Sequence, residues 1–243
     1  MARMLVIVLL CSWWHLAQAM QAVTEDMPPY NWRDEQGEMT GFSVQLLRAL
    51  LERSGLRLDE KGIQLLPWAR AYQMALYQPD TVLFTAARTS ERDKLFQWVG
   101  PIGPRAIWFW RLARRSDVSP QNLAEATRWR IAAVRNSASA QQLSLDGFES
   151  LVNVTDETDK FRMLRRGRVE LVTALELGAA FHMRQLGSTL SELTRLFVQD
   201  AQYDYYFAVS RSTDPAKVAA LQQALDAMRL DGSLERLRQQ WLK

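Results

Sequence analysis

The feature that most limits what this chain can fold into is an alternation repeated along its length. Short apolar runs suited to buried strands alternate with helical patterns closed by glycine. In GFSVQLLRALLERSG, residues 41–55, apolar Phe42, Leu46, Leu47, Leu50 and Leu51 recur at helical spacing, and Gly55 is placed to end the helix in a left-handed turn. TVLFTA (81–86), AIWFW (106–110) and RIAAV (130–134) read as short buried strands. DKFRMLRRG predicts a helix closed by Gly167 that runs into the strand VELVTA. After the strand YYFAVS, Asp214 and Pro215 mark a helix start, Val218, Leu221, Leu225 and Met228 form one face, and Gly232 stops it. A last helix, SLERLRQQWL, follows. Strand and helix in this order predict an α/β protein with largely parallel sheets. No internal repeat and no low-complexity linker interrupts the pattern.

A chain of 243 residues with 48% hydrophobic and 23% charged residues can bury a full core, as one large domain or as two lobes. Its 30 basic and 27 acidic residues leave a formal charge of +3 and form no basic block of the kind that tracks a phosphate backbone. Nucleic acid is excluded as a partner on that ground. Nine tryptophans are many for this length. Several stand near Pro or Arg, where flat rings either pack in the core or line a polar cleft.

The N-terminus sets the compartment. MARMLVIVLLCSWWHLAQAM has one basic residue, Arg3, an apolar run from Met4 to Trp14, and the small-x-small pattern Ala17-Gln18-Ala19. It reads as a secretory signal over residues 1–19, too short in its apolar part for a membrane span. The single cysteine, Cys11, lies inside it, so the mature chain has neither disulfide nor thiolate chemistry. The expected product is an exported protein beginning near Met20.

Several chemistries are excluded in turn. With His15 in the signal, His182 is the sole histidine of the mature chain, too few for a zinc site built on histidine. His182 sits in AAFHMRQ, which reads as a helix surface, and no G-x-S-x-G elbow is present for a serine triad. GPIGPR lacks the spacing of a phosphate loop, and its prolines remove the amides such a loop uses. No cofactor and no metal is expected. Carboxylate pairs remain open, with Glu25, Asp26, Glu170, Glu176 and Asp204 as members.

Five segments stand in a telling order: EDMPPYNWRDEQGEMTGFSVQLLRALLERSG, RTSERDKLFQWVGPI, WRIAAVRNSAS, MLRRGRVELV and LQQALDAMRLDGSLERLRQQWL. Together they resemble the bacterial extracellular solute-binding proteins of family 3, the periplasmic receptors of ABC transporters for amino acids and other small polar solutes. The resemblance spans nearly all of the mature chain, and PWARAY (67–72) looks like a divergent branch. It implies a periplasmic-binding-protein-like clamp of type II, each lobe a mixed, largely parallel sheet flanked by helices. Lobe 1 is expected from residues 20–107 plus 205–243 and lobe 2 from 108–204, with the ligand in the cleft between them and a hinge motion closing it. The implied partners are a small-molecule solute and a membrane permease.

The resemblance also assigns a site. In FTAARTSERDKLFQWVGP (84–101), which reads as the end of a buried strand followed by a short helix, Arg92 stands at the position whose guanidinium grips a ligand carboxylate. Its planar, permanently charged fork matches a carboxylate. Arg88 in the same run either shares this role or faces solvent or the other lobe. Thr85 stands where a cleft hydroxyl is common, and Ala87 where a second is often found. In RNSAS, Asn136 and Ser137 lie where a strand leads into a helix N-terminus whose free amides favour an anion. Tyr30 and Trp68 fall near positions that supply flat apolar walls. Amino-acid receptors of this family carry an aspartate eight residues past the glycine of GRVEL, to meet the ligand ammonium; here that position is Leu175. Either Glu176 turns inward, or Glu25 or Asp204 takes over, or the solute has no α-ammonium.

The expected function is therefore capture of a small carboxylate-bearing solute, an amino acid or related polar acid, for an ABC transporter, without catalysis. Two alternatives share the scaffold: a sensory protein reporting to a membrane partner, and an enzyme resembling the dehydratases of cyclic prephenate-like acids, with Glu176 as acid.

Overall fold

The computed structural model describes residues 19–241. The expected signal segment, with Cys11 and His15, thus lies outside the described residues except for Ala19. In chain order the elements are β1 (Ala19–Thr24), β2 (Trp32–Arg33), β3 (Met39–Thr40), α1 (Phe42–Ser54), β4 (Arg57–Leu65), α2 (Trp68–Tyr77), β5 (Thr81–Ala87) and β6 (Phe96–Pro104). There follow β7 (Ile107–Leu112), α3 (Leu123–Ala126), β8 (Ile131–Val134), α4 (Ala138–Leu145), β9 (Leu151–Val154), α5 (Glu157–Arg165), β10 (Leu171–Ala174) and α6 (Glu176–Gln185). The chain ends with β11 (Leu193–Asp200), β12 (Asp204–Ser210), α7 (Pro215–Leu230) and α8 (Ser233–Trp241).

Two five-stranded sheets result, in the orders β4-β1-β5-β12-β6 and β11-β7-β10-β8-β9. In each, two neighbouring pairs are parallel and two antiparallel. The architecture is the expected α/β one, and the antiparallel pairs arise where β12 and β7 receive the chain passing between the sheets. That passage occurs twice, at Pro104 to Ile107 and at Asp200 to Asp204.

The central strands explain themselves. All seven residues of β5 are buried, because both of its faces are covered. Val82 and Phe84 join a core with Leu46, Leu47 and Leu50 of α1 and Leu221 and Leu225 of α7. The alternate residues Leu83 and Ala86 pack instead with Trp68, Ala71 and Ala75 of α2. Each fully buried leucine on these faces contributes about 1.5–3 kcal/mol. Gly55 caps α1 at φ 70°, the left-handed turn its sequence position predicts. Asp214 caps α7, its side chain accepting from the Ala216 amide.

Strand β5 carries one irregularity, at the end that faces the second sheet. Tyr206 pairs with Ala86 but Phe207 with Phe84, so Thr85 is an extra residue opposite none, at φ 59°. A β-branched residue in that region is strained and marks a bulge.

Two local expectations are corrected. The segment after Arg88 is no helix: the amides of Arg92 and Asp93 donate to Thr89 O at 3.1 and 2.9 Å, forming a single turn before β6 begins at Phe96. Phe96 is anchored against Tyr72, ring centroids 5.4 Å apart, which leaves too few residues for a second turn. His182 is on a helix but not on its surface, being 1% exposed and stacked on Phe161 at 5.7 Å. Among the described residues, no helix is long and apolar enough to cross a membrane.

Candidate functional site

Between the two sheets lies a cavity of about 70 Å³, lined on one side by Glu25, Trp68, Thr85, Ala87 and Arg92 and on the other by Ser137, Glu157, Lys160, Thr173, Leu175 and His182. The elements meet there because β1, β5 and α2 of the first sheet end toward the same gap as β8, α5 and β10 of the second.

Arg92 is 1% exposed, one of the largest fully buried side chains of the molecule. Its guanidinium carbon lies 5.3 Å from the Trp68 ring centroid and 5.2 Å from that of Tyr72, within cation–π range. Its Nη2 donates to the carbonyl of Asn136 and to Gln141 Oε1, both at 3.0 Å. Burial pulls the group down to about 10, so it stays charged at neutral pH. Its Nε has no hydrogen-bond partner among the described residues, and no carboxylate ion-pairs with it there.

Asn136 serves through its backbone. The side chain is exposed, but at φ 60° its carbonyl turns to accept from both Arg92 and Trp68 Nε1, the latter at 2.9 Å. Asn adopts this left-handed conformation more readily than most residues. Ser137 is the N-cap of α4, its hydroxyl oxygen accepting from the Ala140 amide at 3.1 Å. Its hydroxyl hydrogen remains available. The Thr85 hydroxyl lies 2.5 Å from Asn31 Oδ1 and 2.8 Å from Ser43 Oγ, held by the bulge.

The remaining expected residues lie off this cavity. Tyr30 is buried in the core of the first sheet, against Phe42 and Tyr205. Arg88 is exposed, 2.7 Å from Asp93 and over the rings of Trp98 and Tyr206. Glu176 is half-exposed and pairs with Arg195 at 2.6 Å. Asp204 is exposed at the start of β12.

Lys160 and Arg105, which sequence reasoning did not single out, complete the site together with His182 and Glu25. Lys160 is 3% exposed, 2.6 Å from Glu157 and donating to Thr173 O at 2.6 Å. Arg105 forms a buried ion pair with Asp200 and donates to Ser139 Oγ at 3.0 Å. That pair ties together the two segments by which the chain passes between the sheets. A lysine inside an apolar helical face, or an arginine beside a strand end, is the only signal the sequence offers for them. His182 Nδ1 lies 3.0 Å from Thr158 Oγ1, and burial depresses the imidazole to about 4, leaving it neutral. Glu25, by contrast, is pushed up to about 8, by burial first and then by the neighbouring Glu157 carboxylate. The described residues contain no cluster suited to a metal ion.

The arrangement suits recognition of a small polar solute: a buried fork, a flat aromatic wall, a helix N-terminus and a carboxyl around one small space. The comparisons with known proteins agree. A probable amino-acid ABC transporter-binding protein of Haemophilus influenzae (strain ATCC 51907 / DSM 11121 / KW20 / Rd) is 22% identical over 214 residues, 88% of this chain and 80% of that protein. A histidine kinase sensor domain similar to periplasmic binding proteins superposes with a TM-score of 0.83 at 21% identity, over 93% of this chain and 96% of that one. An ancestral arginine-binding protein bound to arginine does so with a TM-score of 0.81 at 18% identity, over 93% and 99%. The model of the bacterial extracellular solute-binding proteins, family 3, matches residues 20–243, and the chain belongs to that family.

Proposed function

We propose that this chain is a periplasmic receptor that captures a small carboxylate-bearing solute, an amino acid or related polar acid, and presents it to the permease of an ABC transporter. Residues 1–19 are its export signal. Residues 20–107 with 205–243 form one lobe and residues 108–204 the other, and the cleft between them closes over the solute. Arg92 holds the carboxylate, Trp68 forms the flat wall, and Ser137 with the amides at the start of α4 completes the anion site from the second lobe. Thr85 shapes the floor, and its single proton is shared with Asn31 and Ser43.

The observation that carries this reading is Arg92 itself. A guanidinium held charged at 1% exposure without a carboxylate partner among the described residues is costly to keep, and an anionic solute offsets that cost. The likeness to an amino-acid ABC transporter-binding protein supports the same solute class.

The test is a thermal-shift screen of the mature protein against amino acids, polyamines, organic acids and cyclic acids, since a solute bound by the folded state alone raises the unfolding midpoint. Arg92→Ala is expected to abolish the response to every carboxylate that raises the midpoint of the unaltered protein. A response that survives the substitution removes Arg92 from the site.

A further inference from the structure

Besides the Tyr205 phenol, which burial keeps protonated, six ionisable side chains face the cavity: Glu25, Arg92, Arg105, Glu157, Lys160 and His182. Four of them are satisfied within the protein. Arg105 is paired with Asp200, Lys160 with Glu157, and His182 is neutral against Thr158. Two are left, of opposite sign. Arg92 has no ion partner among the described residues, and no described side chain hydrogen-bonds or ion-pairs with the Glu25 carboxyl. A second polar group on this cavity is equally unspent: Thr173 Oγ1, on a residue 1% exposed, has no partner among the described residues.

Where family relatives keep an aspartate for the solute ammonium, this chain has Leu175, which lines the cavity and offers no charge. Glu176 and Asp204 do not compensate. The first is committed to Arg195, and the second is exposed at a strand end. We propose that Glu25 accepts the cationic group of a zwitterionic solute whose carboxylate lies on Arg92, with the Thr173 hydroxyl as a second acceptor. This rests on the carboxylate-solute reading and narrows it: the solute carries an ammonium, and its counter-charge comes from the first lobe rather than from position 175.

The exchange carries a proton. Burial, Glu157 and Asp26 favour the neutral form of Glu25, while Lys160 and Arg92 favour the ionised form, and the balance leaves the carboxyl protonated at neutral pH before solute enters. Asp26 itself is raised to about 6, by burial and then by Asp156 and Glu157, so it is ionised at neutral pH. Arg105, neutral His182 and the protonated Tyr205 phenol complete the groups facing this space. When an ammonium arrives, the Glu25 O–H bond breaks, its proton leaves to solvent, and the carboxylate pairs with the ammonium, which keeps all its protons. Binding of a zwitterion therefore releases close to one proton, and its affinity rises about tenfold per pH unit up to the carboxyl's own value near 8, then levels. A carboxylate without ammonium leaves the proton in place and weakens above that pH.

The experiment is calorimetric titration of the mature protein with two matched pairs, alanine against propionate and 4-aminobutanoate against butanoate. Each is run in buffers of different ionisation enthalpy and across the pH range from about 6 to about 9. Expected are proton release and a rising affinity for the amino compounds only. Glu25→Gln is expected to remove the pH slope, weaken the amino compounds about 100-fold and spare the plain carboxylates. A zwitterion bound without proton release by the unaltered protein, or unweakened in Glu25→Gln, overturns the assignment while leaving Arg92 untouched. Should Glu25→Gln fail to fold, proton release by the unaltered protein decides alone. If Arg92→Ala still binds and Glu25→Gln does not, the carboxylate reading falls and the Glu25 role stands. Binding of none of the four compounds overturns both.

Discussion

On the wall of the cavity that comes from the first sheet, Arg92 has no ionic partner and the Glu25 carboxyl no side-chain partner among the described residues; on the wall that comes from the second, Lys160 and Glu157 already have each other. Lys160 is as buried as Arg92, yet Glu157 and the Thr173 carbonyl occupy it. His182 is neutral, and Ser137 is bound into its own helix cap. The contrast separates two uses of a buried charge. A satisfied one holds its own wall together, and an unsatisfied one is held in reserve for something from outside.

The same substitution at both cations puts this contrast under the greatest strain. Lys160→Met leaves Glu157 and a buried carbonyl without their donor, and is expected to destabilise the solute-free protein by about 2–3 kcal/mol, roughly 5–10 °C in the unfolding midpoint. Arg92→Met removes a charge that nothing neutralises and is expected to lose less than half as much. Equal losses in thermal unfolding would erase the distinction between the walls.

Trp68→Phe approaches it from the other direction. The ring under Arg92 is kept, but the bond from Trp68 Nε1 to the Asn136 carbonyl, which spans the gap between the sheets, is lost. Solute affinity is expected to fall about fivefold, the worth of one hydrogen bond, with little change in the midpoint of the empty protein. Calorimetry beside thermal unfolding separates the two quantities. The smallest effect belongs to the exposed pairs. Arg88→Ala and Glu176→Gln break ion pairs with Asp93 and Arg195 at the surface, and each is expected to change stability by less than about 0.5 kcal/mol and solute affinity not at all.

How far the sequence discloses all this depends on the range of each signal. Helix α1 and its Gly55 cap, strand β5 and the capped start of α7 are legible, because apolar period and terminal residues are local. The turn holding Arg92 reads as a helix, since nothing nearby announces that Phe96 must already be in β6 and packed on Tyr72. His182 looks superficial in AAFHMRQ because its cover, Phe161, comes from another helix. Arg105 and Asp200 are 95 residues apart, and no spacing rule connects them. Glu25 is visible as one carboxylate among five, and as one of three that could stand in for the aspartate missing at position 175. Its distinction, being the one left unpaired on the cavity, is a property of what surrounds it. Strand β11 escapes for a different reason: Leu193, Gln199 and Asp200 are buried but mixed with polar and exposed neighbours, so no clean alternation marks it.

The extra residue in β5 has a reach beyond its own hydroxyl. Side chains on a strand point alternately to opposite faces, so a count of residues is also a count of half-turns. Were Thr85 drawn into the ladder opposite Tyr206, Ala86 and Ala87 would each exchange faces, and the chain would enter the Thr89 turn rotated by one half-turn. The guanidinium that now looks into the gap would start its path from the far side of the sheet. A single surplus residue, opposite nothing on its neighbour, thereby sets the side of the sheet from which Arg92 enters the gap.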